Sequence, residues 1–391
     1  AFTIPLMKKI GYRAKFSAAV EACASSGGQI TPPIMGAAAF IIAEYLRVSY
    51  ISVLIAAIVP AVLYFATVYI MVDLEADKSG VERIEKARLP DIAQVLRSGW
   101  HQLLTLFVLL ALLAIGFTPM LAAFGGIITL LVLSFVSSHT RLRPIDILAA
   151  FEIGVRNAVP VTVACACAGI IIGSIFSSGL GLKFTNSVID LSGGSLLLLL
   201  GLTAVAAIIL GMGMTTTAVY ITVAALVAPA LIEMGVEPMG AHLFAFYYGV
   251  VSTITPPVAL AAFAAAGIAG SSPMRTAFTS ARVGVAKYVV PFAFVYNPSL
   301  LLMGPLWLSL ASFAASLVGL WALSLALEGW YKGREYSLWV RLLLLILAMA
   351  LLLPPVELIL NFPGYYYWIA ALIGLCVFIR YSRKPIQGMT V

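Results

Sequence analysis

The sequence predicts an all-α polytopic membrane protein with inverted repeats, two re-entrant helical hairpins and broken helices. Three observations support this prediction: the apolar composition, the uncharged stretches long enough to cross a bilayer, and a motif that occurs twice. Of the 391 residues, 62% are hydrophobic and 10% are charged, and the mean hydropathy is +1.07. Because soluble domains carry about 25% charged residues, most of this apolar surface must face lipid.

The uncharged stretches match the bilayer thickness, since a membrane-spanning helix needs roughly 20 apolar residues. The stretches Arg47 to Asp73 and Glu357 to Arg380 each have room for one such helix. Three longer stretches have room for two helices each: Arg97 to Arg141, Asp190 to Glu233 and Lys287 to Glu328.

The first interruption of the apolar pattern is GGQITPP, flanked by the short apolar segments 17–26 and 33–45. Neither segment is long enough to cross a bilayer. We therefore expect a re-entrant hairpin over about residues 17–45, with two half-helices that meet at a loop inside the membrane. A full span is expected at 50–72, followed by a charged connector (73–99) of mixed sign, which favours a helix at the membrane interface.

Two further spans are expected at 102–117 and 120–138, and an amphipathic stretch that opens at Pro144 continues into an apolar helix that ends near Ser178. A second kind of interruption follows them. The apolar segment 194–210 leads into GMGMTTT (211–217), and another apolar segment continues over 218–232. Two glycines within three residues, followed by three threonines, disfavour a continuous helix. We expect a helix broken inside the membrane at this point.

The third interruption is TITPP, flanked by the short apolar segments 239–251 and 258–268. This pattern predicts a second re-entrant hairpin over about residues 239–268. The last third of the chain holds the remaining expected spans, at 284–303, 305–327, 337–353 and 364–380.

The doubled prolines explain why these interruptions matter. Proline lacks a backbone N–H and disfavours helix at the residue before it. Two consecutive prolines in lipid would leave backbone polar groups unpaired, which is tolerated only where protein or a wet cavity surrounds them. A single doubled proline is also compatible with a kinked helix or a loop at the membrane surface.

The repetition favours the hairpin interpretation. Thr31 and Thr255 of the two ITPP motifs are 224 residues apart, and each motif lies between short apolar segments and precedes a full span. Broken elements at corresponding positions of two halves indicate a binding site of the kind found in membrane transporters.

Charge favours an inverted arrangement of the two halves. Basic residues precede the first hairpin and acidic residues precede the second: Lys8, Lys9, Arg13 and Lys15, against Glu233 and Glu237. By the positive-inside tendency, the two hairpins would enter the membrane from opposite sides.

The motif regions resemble a known family. GMGMTTTAVYITVAALVAPAL (211–231) and AHLFAFYYGVVSTITPPVALAAFAAAGIAGS (241–271) resemble the large membrane subunit of tripartite ATP-independent periplasmic (TRAP) transporters. FTIPLMKKIGY, followed by GGQITPPIMGAAAF (27–40), resembles the first half of the same subunit. The variety is the one with a TAXI-type receptor, in which the small and large membrane subunits are fused. The resemblance predicts a permease region over 1–300, and a C-terminal helical extension of unassigned role over 301–391.

The sequence departs from the family pattern at two places. The family's GMGM is commonly followed by Pro-Thr-Thr, whereas Thr215 follows it here; the change removes a fixed backbone angle and adds a hydroxyl. The chain begins without Met or a signal peptide, and the small-subunit portion and the family's first broken helix would lie before Ala1. We therefore expect an N-terminally truncated permease that holds about half of the site.

The resemblance implies an elevator-type, sodium-driven secondary importer in the bacterial inner membrane. It implies that a periplasmic solute-binding protein of the TAXI type delivers the substrate. The implied substrate is a small organic anion, such as a dicarboxylate or a glutamate-like carboxylate.

The interrupted segments suit sodium, which prefers oxygen ligands, because a broken helix supplies carbonyl and hydroxyl oxygens without a carboxylate. We expect the oxygens, mainly of backbone carbonyls, to bind two ions. One ion would lie near Gly28, Gln29 and Thr31, and the other near Ser252, Thr253, Thr255, Gly211 and Gly213.

The half-helix starts suit the anion. The unpaired amides and positive dipole ends after Pro33, Pro257 and Thr217 favour a carboxylate. The hydroxyls of Thr215, Thr216 and Thr217 could also bind it. The alternative is that these threonines cap the helix that follows the break.

Several function classes are excluded or disfavoured. The sequence has no GxxxxGK[ST] stretch, so the chain is not expected to hydrolyse ATP. The net charge of +7 suits a membrane protein with basic cytoplasmic loops better than a nucleic-acid binder. We expect no catalytic residues and no cofactor besides the coupling ions. The alternatives are a scaffold subunit without a transport pathway, and a membrane-embedded lipid enzyme, which would need a clustered acid, base or metal set.

Overall fold

The computed structural model describes residues 2–33, 35–81, 92–135, 141–212 and 214–353, and nearly all of their regular structure is helical. The helices of the first half are α1 (Thr3–Lys9), α2 (Ala14–Gly27), α3 (Ala38–Leu46), α4 (Tyr50–Ser79), α5 (Ile92–Ile115), α6 (Pro119–Ser134), α7 (Pro144–Ser177) and α8 (Leu180–Leu191).

The second half continues with α9 (Leu196–Leu210), α10 (Thr216–Glu233), α11 (Pro238–Val251), α12 (Leu260–Ala269), α13 (Pro273–Val283), α14 (Ala286–Tyr296), α15 (Leu306–Glu328) and α16 (Leu338–Leu352). Short 3-10 turns follow α2 at Gly28–Ile30 and α14 at Pro298–Leu301. Between α15 and α16, strand β1 (Trp330–Tyr331) pairs antiparallel with β2 (Arg334–Glu335).

Long apolar helices confirm an all-α polytopic membrane protein. Within the described ranges, four helical segments are long and apolar enough to cross a membrane: Tyr50–Ser79, Thr216–Glu233, Pro273–Tyr296 and Leu306–Glu328. Shorter apolar helices accompany them, among them α9, α12 and α16.

The charged connector differs from the sequence expectation. Helix α4 does not end near residue 72 but continues to Ser79, where Gly80 terminates it in the left-handed conformation (φ 64°). The extension is possible because Leu74 and Glu75 are both buried. Helix α5 begins already at Ile92, so the predicted interfacial helix over 73–99 is wrong at both ends, and residues 82–91 lie outside the described part.

The region after the second hairpin also differs. The expected single span at 284–303 is instead the consecutive helices α13 and α14, followed by the 3-10 turn. Pro273 opens α13, and α14 ends before Pro298, which cannot continue a helix. The sequence analysis also missed α8, and its expected span at 364–380 lies outside the described residues.

The two predicted hairpins pack against each other in a reciprocal way. Hairpin 1 consists of α2, its turn and α3, and hairpin 2 consists of α11, its turn and α12. The first arm of hairpin 1, α2, packs on α12 and α13, while the first arm of hairpin 2, α11, packs on α3, α10 and α14. Every residue of α11 from Met239 to Val251 is buried, so the first arm of hairpin 2 lies within the described core, whereas Leu260 and Ile268 of the second arm are exposed.

Candidate ion and substrate site

The turn of hairpin 1 is closed by its own hydrogen bonds. The Thr31 hydroxyl donates to the Gly27 carbonyl at 2.7 Å, and the Thr31 amide donates to the Gly28 carbonyl at 3.3 Å. The Gly36 amide donates to the Gln29 carbonyl at 2.8 Å. The chain therefore reverses around the doubled proline with its polar groups largely paired.

The turn of hairpin 2 repeats this pattern. The Thr255 hydroxyl donates to the Val251 carbonyl at 2.6 Å, and the Thr255 amide donates to the Ser252 carbonyl at 3.4 Å. The Ala261 amide donates to the Thr253 carbonyl at 3.0 Å. An offset of 224 residues relates the bonds of Thr31 to those of Thr255, so the internal repeat extends to individual hydrogen bonds.

The arms of both hairpins are too short to cross a membrane. The first arms, α2 and α11, have 14 residues each, which is about 21 Å of helix. The second arms, α3 and α12, have 9 and 10 residues. The hydrocarbon core is about 30 Å thick.

The break in GMGMTTT meets the turn of hairpin 2. Helix α9 ends at Leu210, and Gly211 lies so close to Ser252 that a methyl group on Gly211 would collide with the Ser252 side chain. Gly249 of α11 also lies near the start of α10, since a methyl group on Gly249 would be 3.3 Å from the Thr216 carbonyl oxygen. The structure therefore brings the predicted ion-binding residues Gly211 and Ser252 together, whereas Gly213 lies outside the described residues.

The threonines after the break have different surroundings. Thr215 is exposed and is the N-cap of α10, where its hydroxyl accepts a bond from the Ala218 amide at 3.4 Å. This is the capping role considered above. Thr216 is the first residue of α10, and Thr217 is buried.

The expected helix starts are displaced. Helix α10 starts before Thr217 rather than after it, because the Thr215 cap fixes its first turn. Helix α3 begins at Ala38 and α12 at Leu260, several residues beyond Pro33 and Pro257. The amides of Met35, Gly36 and Ala259, which lie in between, donate turn hydrogen bonds, and the Pro33 carbonyl also accepts from the Tyr50 hydroxyl at 3.2 Å.

The expected ligand oxygens are not all equally free. The carbonyls of Gly28, Gln29, Ser252 and Thr253 each accept one turn hydrogen bond, which leaves each of them one lone pair. The side-chain oxygen of Gln29 is different, because it is buried and has no hydrogen-bond partner in the described part of the chain. An unpaired buried acceptor at the turn of hairpin 1 is suited to a cation.

A polar cluster that was not predicted from the sequence lies behind the two turns. Lys287 of α14 is completely buried, and its ammonium donates to the Ser26 hydroxyl at 2.6 Å. The Lys287 nitrogen also lies 4.5 Å from the ring centre of Tyr64, whose hydroxyl donates to the Cys23 carbonyl at 2.7 Å. Next along α14, the Tyr288 hydroxyl is 2.6 Å from the Thr255 hydroxyl.

The sequence contained a signal for this cluster. Tyr64 and Tyr288 are separated by the same offset of 224 residues as the ITPP motifs. Lys287, by contrast, gives no such signal in the sequence. Its partner Ser26 is 261 residues away, so their contact depends on the fold.

Comparison with known proteins agrees with this architecture. A search of curated proteins finds no significant match. The family model described as "Tripartite ATP-independent periplasmic transporter, DctM component" matches residues 1–307 of the 391. Since the match covers most of the chain, including both hairpins and the break between α9 and α10, this protein belongs to the DctM family of TRAP transporter components.

Proposed function

We propose that this chain mediates sodium-coupled import of a small organic anion, a carboxylate, that a periplasmic solute-binding protein delivers. As a DctM-family protein it is a component of a secondary transporter, and this family is not an enzyme family. The proposal concerns the coupling ion, the substrate class and the delivery route.

The observation that carries the sodium proposal is the pair of equivalent turns, one of which holds the unpaired Gln29 oxygen. Its amide oxygen is buried in the protein, and a buried acceptor without a partner carries a desolvation cost of about 1–3 kcal/mol. A bound sodium ion would offset this cost. The Thr31 hydroxyl and the Gly28 carbonyl of the same turn keep lone pairs that could complete the coordination.

The second proposed ion lies at the turn of hairpin 2. Ser252, Thr253 and Thr255 each donate a side-chain hydroxyl hydrogen to a carbonyl of α11. Their hydroxyl oxygens can therefore only accept further bonds or bind a cation. Gly211 is close enough to Ser252 for its carbonyl to belong to the same site.

The proposed anion site uses the start of α10 and the two proline turns. The positive end of α10 favours a carboxylate, and Thr216 and Thr217 could donate hydroxyl hydrogens to it. Because Thr215 caps the helix, we assign it a positioning role at this end. Pro33 and Pro257 would shape the site.

The proposed assembly follows from the family. Transporters of this kind combine the DctM component with a DctP solute-binding protein and a DctQ small subunit. We propose that the partner here is a TAXI-type binding protein, that the small subunit is fused upstream, and that the complex lies in the bacterial inner membrane. Elevator-like relocation of the hairpins would carry the substrate across.

Ion coupling supplies enough energy for accumulation. Each positive charge that moves inward through 100 mV releases about 2.3 kcal/mol. This free energy supports roughly a fifty-fold substrate gradient per net charge.

The deciding experiment is uptake into proteoliposomes that hold the full-length transporter, with its binding protein and labelled dicarboxylates or glutamate outside. We expect uptake only when an inward sodium gradient is imposed, and a potassium gradient of equal size serves as the control. Uptake that is indifferent to sodium would remove the ion assignments. The absence of uptake of any carboxylate would remove the substrate class.

A further inference from the structure

We propose that Lys287 is a coupling residue that transmits cation occupancy between the turns of hairpin 1 and hairpin 2. The inference rests on the proposed sodium coupling and adds to it a mechanism by which the two ions sense each other. The buried ammonium of Lys287 has no role in the transport scheme proposed above.

The ammonium of Lys287 lies in a prepared environment. The side chain is fully buried, and among the described residues no carboxylate lies within 4.0 Å of its nitrogen. It contacts the Ser26 hydroxyl, which itself donates to the Ala22 carbonyl at 2.7 Å. Ser26 belongs to the last turn of α2, and the C-terminal end of a helix attracts a cation. The Tyr64 ring adds a cation–π contact.

Packing alone does not require this charge. The residues that correspond to Lys287 and Ser26 in the other half, at the same offset of 224, are Leu63 and Val250. Both are fully buried apolar residues. The corresponding positions of the repeat are therefore apolar in one half, and charged and polar in the other.

Lys287 is placed to connect the two hairpins because the next residue of α14, Tyr288, contacts hairpin 2. Tyr288 contacts Thr255 in the turn of hairpin 2, and its carbonyl accepts a bond from the Tyr248 hydroxyl of α11 at 2.7 Å. Consecutive residues of α14 thus hold hairpin 1 through Ser26 and hairpin 2 through Thr255. A cation that reorganises the hydrogen bonds of Thr255 would move Tyr288, and the shift would reach Ser26 through Lys287.

Hydrogen exchange can measure this coupling. The readout is the sodium concentration that gives half of the maximal protection of the backbone amides at 28–31, measured on the purified full chain. In the wild-type background, Thr255→Val should raise this concentration about tenfold, within the usual range of coupling between sites. In the background Lys287→Leu with Ser26→Val, which copies the apolar pair of the other half, Thr255→Val should leave it unchanged.

The background variant should fold, because replacing buried charged or polar groups by apolar residues of similar volume is often neutral or stabilising. Thermal unfolding checks this. If the double substitution does not fold, Lys287→Met with Ser26 retained takes its place, since Ser26 keeps its bond to Ala22. Leu63→Met, at the corresponding position, is the control and should preserve the effect of Thr255→Val.

The outcomes separate the two proposals. An equal effect of Thr255→Val in both backgrounds, or no effect in the wild type, overturns the role of Lys287 while sodium binding stands. If sodium protects neither 28–31 nor 252–255 in the wild type, the sodium proposal falls and the coupling proposal falls with it.

Discussion

The hydroxyl groups of Thr31 and Thr255 are the most specific side-chain features that the two turns share. Each donates its hydrogen to the carbonyl four residues earlier, so each hydroxyl oxygen is left with acceptor capacity only. Thr255 also contacts Tyr288, which uses part of that capacity. Without sodium, both hydroxyls thus stabilise their turns through these hydrogen bonds. With sodium, they are candidate ligands.

Replacing these hydroxyls tests that role. We expect Thr31→Val and Thr255→Val each to weaken sodium affinity about twofold to tenfold, as expected for the loss of one modest polar contact. Both variants should remain folded. Sodium titrations of amide protection or of uptake measure the change. The control is Thr67→Val, because the Thr67 hydroxyl makes the same kind of bond to the Leu63 carbonyl within α4. Normal sodium affinity in both turn variants would contradict hydroxyl ligation and leave carbonyl ligation open.

Replacing Gln29 should raise the stability of the sodium-free protein and lower the stabilisation that sodium provides. The buried side-chain oxygen has no partner, so Gln29→Met should raise the free energy of unfolding without sodium by about 1 kcal/mol. The same variant should lose much of the stabilisation that sodium gives the wild type. Thermal unfolding with sodium and with potassium measures both effects. A variant whose sodium-dependent stabilisation equals that of the wild type would exclude Gln29 as a ligand.

At the scale of helices and turns, the positions where helices are interrupted were easier to predict from the sequence than the residues at which helices begin and end. The doubled prolines and the glycines of GMGM are local signals, because each alters the backbone wherever it occurs. The end of α4 at Ser79 depends instead on the burial of Leu74 and Glu75, which is a tertiary effect. Pairs such as Lys287 and Ser26 depend on contacts between distant segments, which a single sequence does not reveal.

The contact between the α9 break and hairpin 2 gives a prediction for these elements. A methyl group on Gly211 would collide with Ser252, so Gly211→Ala should cost about 1–3 kcal/mol of stability through overpacking and should lower sodium affinity at hairpin 2. Gly201→Ala in the same α9 is the matched control, because open space surrounds that position. Equal stability and sodium affinity in the two variants would show that the break and the turn are independent.

Across the whole molecule, a buried carboxylate connects the C-terminal helices to both halves. Glu328, the last residue of α15, has a completely buried side chain. Its Oε2 atom lies 3.4 Å from Nη1 of Arg282 in α13 and 3.9 Å from Nζ of Lys78 in α4. Helix α15 also packs along α4 and α16. The family match ends at residue 307, so α15 is almost entirely an addition to the family's region, yet it is firmly joined to it.

Removing the charge of Glu328 should loosen this junction. We expect Glu328→Gln to lower the free energy of unfolding by about 1 kcal/mol, because the partly exposed Lys78 and Arg282 would lose their shared carboxylate. Chemical or thermal unfolding of the purified chain provides the measurement. Glu152→Gln, which breaks the exposed pair between Glu152 and Arg156, should have no measurable effect. Similar stabilities of the two variants would show that the charge of Glu328 does not hold this junction.

The reciprocal packing of the hairpins restricts how they can move. Helix α2 packs along α12 and α13, and the Cys23 thiol of α2 donates to the Ser280 carbonyl of α13 at 3.2 Å. Lys8 of the preceding helix α1 donates to the Ala269 carbonyl of α12 at 2.8 Å. Sliding one hairpin past the other would separate α2 from α12 and α11 from α3, which pack on each other directly. We therefore expect any relocation of the hairpins during transport to move both turns together, as one rigid unit.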